Sequence, residues 1–153
     1  MKSNILKLIL ILAVAGCATP PPKSALELQA IQSKEFETSK KIAFAATISV
    51  LQDSGYIISA ANFDTGFISS TSPVKQHDPF FGDRQMHHVK ANAFVEEIVP
   101  NRTKVRVNIV DSLETSSSKG EKGGEETPIE TPEMYQDIFA KIQQGIFVRK
   151  NLQ

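Results

Sequence analysis

The residues best suited to chemistry are three histidines that lie among carboxylates in the middle of the chain. His77 precedes Asp78, and His87 and His88 come shortly after Asp83. Imidazole nitrogens and carboxylate oxygens are ligands that zinc and copper accept. However, the two adjacent histidines would point to opposite faces of a strand, and the spacing matches no fixed metal-binding motif. We therefore predict no metal and no cofactor, with His77 and His87 as the candidate ligands if a metal does bind.

Catalysis by a nucleophile or by a carboxylate pair finds little support in the sequence. The serines occur without the pattern of a nucleophile elbow, and no glycine-rich phosphate loop follows a strand. Glu96 and Glu97 are neighbours in a predicted strand, so they point to opposite faces and make a poor acid–base pair. We predict that the protein is not an enzyme.

Cys17 is the single cysteine of the chain, so it cannot form an internal disulfide or a multi-cysteine metal site. It follows an N-terminal segment that contains Lys2, Lys7 and an apolar run over residues 8–15. That run is too short to span a bilayer as a helix, but its length is typical of the core of a signal peptide.

Residues 14–17, Val-Ala-Gly-Cys, resemble the lipobox of bacterial lipoproteins. The resemblance implies that residues 1–16 are a lipoprotein signal peptide and that Cys17 is acylated at the new amino terminus, which ties the protein to a lipid bilayer. In that family, Asp directly after the cysteine favours retention in the inner membrane, whereas Ala18 and Thr19 follow Cys17 in this chain. The resemblance thus implies the outer membrane, facing the periplasm, rather than the inner one. An ordinary secretory signal with an incidental cysteine is the alternative.

The rest of the chain is predicted to form a short tether and one domain. Residues 17–24 contain three consecutive prolines, which favour an extended polyproline conformation. The whole chain has 153 residues, a length typical of a single domain. We therefore expect residues 25–153 to fold as one α+β domain, with mobile loops at 72–87 and 114–130.

Hydrophobic periodicity and turn residues predict the elements of this domain. Strands are predicted over 26–36, 56–61, 67–71, 89–99 and 103–111, and helices over 40–53 and 132–148. The order β-α-β-β-β-β-α predicts one curved antiparallel sheet with both helices on one face and water on the other. This order resembles one half of the TATA-box-binding protein fold.

Several short sequence segments resemble those of an uncharacterised group of small bacterial lipoproteins. They are Gln32–Phe36, Leu51–Ile58, Asp64–Ile68 and Pro132–Ile142. The resemblance covers most of residues 30–148 and implies a topology and a location, but no activity.

Phe80 and Phe81 stand together between Pro79 and Gly82 in the long mid-chain loop. Two aromatic side chains in a polar loop either pack back onto the core or stay exposed as a partner contact.

The balance of 17 basic against 17 acidic residues gives no basic surplus for nucleic acid. We therefore expect a non-catalytic protein-interaction or structural module of the cell envelope, whose partner is another envelope protein. Its candidate contacts are the solvent-exposed face of the sheet and the loop with Phe80 and Phe81. The alternative is a periplasmic domain that binds a small ligand or a metal.

Overall fold

A computed structural model of the protein describes residues 23–77, 84–117 and 122–152. Within these residues the chain forms three helices: α1 (Ala25–Gln32), α2 (Lys40–Asp53) and α3 (Pro132–Asn151). It also forms seven strands: β1 (Ser33–Phe36), β2 (Ile57–Asn62), β3 (Phe67–Thr71), β4 (Lys75–His77), β5 (Arg84–Val99), β6 (Arg102–Ser116) and β7 (Lys122–Pro128).

All of these strands belong to one antiparallel sheet built around the long hairpin of β5 and β6. The hairpin turns at Asn101, which takes a φ of 62°, a left-handed conformation that asparagine tolerates better than most residues. The sheet order is β1-β6-β5-β3-β2, while β4 extends the β3 side of β5 and β7 extends the β1 side of β6. The α+β class and the single antiparallel sheet are confirmed.

Strict alternation along β6 explains why the sheet has one buried face and one exposed face. Val105, Val107 and Ile109 are fully buried, whereas Lys104 and Arg106 between them are exposed. Successive side chains of a strand point to opposite faces, so the apolar set enters the core together. Helices α2 and α3 cover this face, and their buried residues join those of the strands in one hydrophobic core.

Helix α2 ends at Asp53, and Gly55 lies just past its C-cap residue. Gly55 has a φ of 87°, and its N–H donates to the carbonyl of Gln52 at 2.9 Å. The N–H of Tyr56 donates to the carbonyl of Leu51 at 3.0 Å. These two bonds form a Schellman motif, which satisfies carbonyls that the helix leaves without a partner.

The strand predicted over residues 26–36 is wrong in its first part, where the chain forms α1. The Oγ of Ser24 accepts a hydrogen bond from the N–H of Glu27 at 3.3 Å, and the Glu27 carboxylate accepts one from the N–H of Ser24 at 2.7 Å. This reciprocal capping box satisfies two backbone donors at the first turn of the helix and favours helix over strand. The strand itself, β1, begins only at Ser33.

The two segments predicted as loops both contain strands. Within 72–87, β4 occupies Lys75–His77 and β5 already begins at Arg84. Within 114–130, β6 continues to Ser116 and β7 pairs with it in antiparallel register. Strand β7 is polar and exposed throughout, so its hydrogen bonds to β6 form without the alternation that reveals a strand in sequence.

Candidate functional site

The sheet face opposite α2 and α3 carries two phenylalanines that no described element covers. Phe67 on β3 and Phe94 on β5 are directly opposed in the register of the sheet, and their side chains are 44% and 45% exposed. We call this surface the open face. Their neighbours in sequence, Ile68 and Val95, point into the core. An aromatic pair on the exposed side of a sheet is informative, because large apolar side chains are usually buried.

On the next strand, β6, a cation continues the row of register partners that Phe67 and Phe94 begin. Arg106 on β6 is the register partner of Phe94 and is exposed. No carboxylate among the described residues lies within ion-pair distance of its guanidinium. The row therefore places two aromatic side chains and an unpaired guanidinium side by side across three strands.

Two other cations of the open face, Lys104 and Lys90, lie next to carboxylates. Lys104 on β6 has Glu96 on β5 and Glu35 on β1 as its register partners. On β5, the Lys90 ammonium lies 2.5 Å from the carboxylate of Glu126 on β7. The hydrogen bond from Lys90 and its positive charge lower the pKa of the Glu126 carboxyl. Arg106 differs from these two lysines because its own register partners, Phe94 and Ser33, are not acidic and no described carboxylate forms an ion pair with it.

The histidines predicted as candidate metal ligands do not face each other. On the paired strands β4 and β5, His77 lies opposite Gln85 and His87 lies opposite Lys75. His87 instead approaches Asp111 on β6, with 2.6 Å between its Nε2 and the carboxylate Oδ1. Over the described part of the chain, no group of three or more His, Cys, Asp or Glu residues is placed to hold a metal ion.

His87 does line a hollow of about 350 Å³ at the end of α2. Tyr56, Ser72 and Lys75 line the same hollow, and burial raises the pKa of the Tyr56 phenol. His88 points to the other face of β5, where it is buried and its Nδ1 has no hydrogen-bond partner among the described residues. With Ser54 also in its lining, the hollow offers an ammonium, an imidazole and three hydroxyl groups to a small ligand.

The remaining predicted site residues lie outside the described residues. These are Cys17, predicted to carry lipid, and Phe80 and Phe81, predicted as partner contacts. Within the described ranges, none of the helices has both the length and the apolar character that crossing a bilayer requires.

The phenylalanines and the arginine of the open face were not singled out from sequence, although the signal was present. Phe94 stands between Ala93 and Val95, and period-2 alternation puts these two on the face opposite Phe94. Phe67 precedes Ile68 in the same way. What the sequence does not give is the register that makes Phe67, Phe94 and Arg106 neighbours.

Comparison with known proteins gives likenesses to solved structures and no sequence family. No protein-family model and no curated protein matches the chain. Among the matching structures is the crystal structure of a DUF4468 family protein from Bacteroides ovatus ATCC 8483. The likeness has a TM-score of 0.42 and 12% sequence identity, and it covers 82% of this chain and 89% of that one.

Proposed function

We propose that the protein is a lipid-anchored lipoprotein of the bacterial envelope that binds another envelope protein through its open face and catalyses no reaction. One observation carries the interaction part of this proposal. Two exposed phenylalanines and an exposed arginine, Phe67, Phe94 and Arg106, adjoin one another in the register of three strands. Aromatic residues and arginine are the types most enriched at the centres of protein interfaces.

The chemistry of the open face defines the partner. Aromatic rings gain free energy when an apolar surface covers them. A guanidinium buried at an interface needs a carboxylate, because burying an unpaired charge is costly. We therefore expect the partner to present apolar side chains next to an Asp or Glu that contacts Arg106.

The lipid anchor is supported by the sequence. The lipobox-like residues 14–17 end at Cys17, and Pro20–Pro22 follow. Two or three acyl chains on one residue give a stable anchor, since each buried methylene contributes about 0.8 kcal/mol. A domain that a short tether joins to its lipid anchor meets its partners close to the membrane surface.

Crosslinking in intact cells tests the interaction. The double variant Phe67→Ser/Phe94→Ser should lose a crosslinked species that the natural chain forms, because serine removes the apolar contact. Leu26→Ser is the matched control, since Leu26 is 78% exposed and lies on α1 rather than on the sheet. Both proteins should stay folded at the temperature of the experiment, because the replaced side chains lie outside the hydrophobic core. Loss of the species in both variants, or in neither, contradicts the proposal.

Binding of a small anion is a second candidate function, favoured by Lys75 and His87 lining one hollow. Calorimetric titration of the full chain with phosphate tests this function. Heat of binding that disappears in Lys75→Gln and His87→Asn would support it. If no heat of binding is measured, the hollow does not bind the anion and the second candidate function is wrong.

A further inference from the structure

Strand β2 is an edge of the sheet that carries no charge. Among the described strands it pairs with β3 alone, so its outer side presents backbone N–H and C=O groups without a strand partner. Its sequence, Ile57–Asn62, contains no charged residue and no proline. All of its side chains are exposed except that of Ile58, which is half-buried. The strand therefore lacks two of the features that usually keep an edge from pairing with another chain.

The other edges of the described sheet are charged. Strands β1, β4 and β7 each have one described neighbour in the sheet. Each contains at least one charged residue: Lys34 and Glu35 in β1, Lys75 in β4, and Glu125 and Glu126 in β7. When a strand pairs with its own copy, charged side chains near the symmetry axis meet like charges, which is unfavourable. Of these four edges, β2 is therefore the one suited to pair with a second copy of itself.

A register shift divides β2 into two regular stretches. Ile57–Ile58 pairs with β3 on one side of Ser59, and Ala60–Asn62 pairs with it on the other. The Oγ of Ser59 donates a hydrogen bond to the carbonyl of Ser69 on β3 at 3.0 Å. A bulge increases the twist of an edge strand and hinders pairing across it. However, a two-fold axis near Ser59 lays the first stretch of one copy against the second stretch of the other, so neither pairing crosses the bulge.

The side chains of β2 offer exposed apolar area to a second copy. Ile57 and Asn62 lie on the open face, and Ile58 and Ala61 lie on the face that the helices cover. In the pairing just described, Ile57 lies opposite Asn62 of the second copy, and Ile58 lies opposite Ala61 of the second copy. Ile57 is 63% exposed, and Ala60 and Ala61 are exposed as well. Pairing would remove this apolar area from water, which is favourable.

We propose that the protein forms a two-fold symmetric dimer in which β2 pairs antiparallel with β2 of a second copy. The axis is perpendicular to the sheet, so the two sheets become one and both open faces lie on the same side. Six residues from each copy bury less area than a standard interface. The dimer should therefore dissociate on dilution, with a dissociation constant on the order of 10 μM. It forms whether or not the open face binds another protein, so it does not rest on the proposed function.

Sedimentation of the full chain in detergent, over a range of concentrations, tests the dimer. Ala60→Lys should raise the dissociation constant about tenfold, because the axis brings two ammonium groups together. Ala60→Glu should do the same with two carboxylates. An equimolar mixture of these two variants should dimerise again, because a lysine then meets a glutamate. Ala30→Lys is the matched control, since Ala30 is an exposed alanine of α1, and it should dimerise as the natural chain does.

Hydrogen exchange locates the contact. A higher protein concentration should slow the exchange of amide protons in β2, because pairing gives them acceptors, and should leave those of β1 unchanged. The proposal is wrong if the natural chain stays monomeric at about 100 μM, if Ala60→Lys and Ala30→Lys behave alike, or if the mixture of Ala60→Lys and Ala60→Glu stays monomeric. A dimer that Phe94→Ser abolishes and Ala60→Lys leaves intact would place the contact on the open face and overturn pairing through β2.

Discussion

The hydroxyl of Tyr135 on α3 donates a 2.6 Å hydrogen bond to the carbonyl of Ile129. It also lies 3.4 Å from the N–H of Ile109 on β6, from which it accepts a hydrogen bond. This N–H lies between the stretch of β6 that pairs with β1 and the stretch that pairs with β7. A fully buried side chain thus supplies the partner that a strand supplies elsewhere along β6.

Replacement of Tyr135 by Phe should destabilise the fold by about 1–3 kcal/mol, because it leaves buried backbone groups without a partner. Urea unfolding of the two proteins measures the difference. Tyr56→Phe is the matched control, since the Tyr56 side chain is half-buried and its hydroxyl makes no hydrogen bond within the described residues. If Tyr135→Phe lowers the free energy of unfolding no more than Tyr56→Phe does, the Tyr135 hydroxyl is not needed as a partner for the N–H of Ile109.

Gly66→Ala should destabilise the protein more than Gly55→Ala. Both glycines have a positive φ, 77° and 87°, and an alanine in that conformation costs roughly 1–2 kcal/mol. A Cβ on Gly66 would in addition clash with the carbonyl oxygen of Val95, whereas one on Gly55 would meet nothing within 4 Å. Thermal unfolding of the two variants compares them directly. Equal losses would mean that the β2–β3 turn does not approach β5 this closely.

These two glycines also show what sequence could and could not predict. The cap at Gly55 depends only on residues next to it in the chain, so a local sequence pattern is enough to predict it. The close approach of Gly66 to Val95 depends on the pairing of β3 with β5, which no local pattern predicts. Likewise, the alternation in β6 predicted its buried face, but nothing in the polar sequence of β7 predicted that it pairs with β6. The capping box at Ser24 and Glu27 is a local signal as well, and it favours helix α1 over the strand predicted there.

Lys90→Gln should raise the pKa of Glu126. In the natural chain this pKa is lowered by the hydrogen bond and the charge of Lys90. The pair thus contributes to stability above the pKa that Glu126 has in the unfolded chain, and that contribution is lost as the pH falls through the lower pKa of the folded state. Because both side chains are substantially exposed, the effect on stability should be small. Carboxyl ¹³C NMR titration measures the pKa, with Lys104→Gln as the control that should leave it unchanged.

Cys17→Ser should release the protein from the membrane. Serine offers no thiol for the diacylglycerol, so cells fed radiolabelled palmitate should label the natural chain and not the variant. The natural chain should sediment with outer-membrane vesicles. Ser3→Ala, in the predicted signal peptide, is the control that should keep the label. A labelled Cys17→Ser protein, or an unlabelled natural one, would contradict lipidation at this residue.

Photo-crosslinking from the open face tests the central claim most directly. A benzophenone amino acid at position 94, in the full chain in living cells, should give one discrete adduct with another envelope protein. The same group at position 26 on α1 should not give this adduct, and Arg106→Glu should abolish it, because the reversed charge repels the carboxylate expected on the partner. No adduct from position 94, the same adduct from position 26, or an adduct unaffected by Arg106→Glu would contradict binding through Phe67, Phe94 and Arg106.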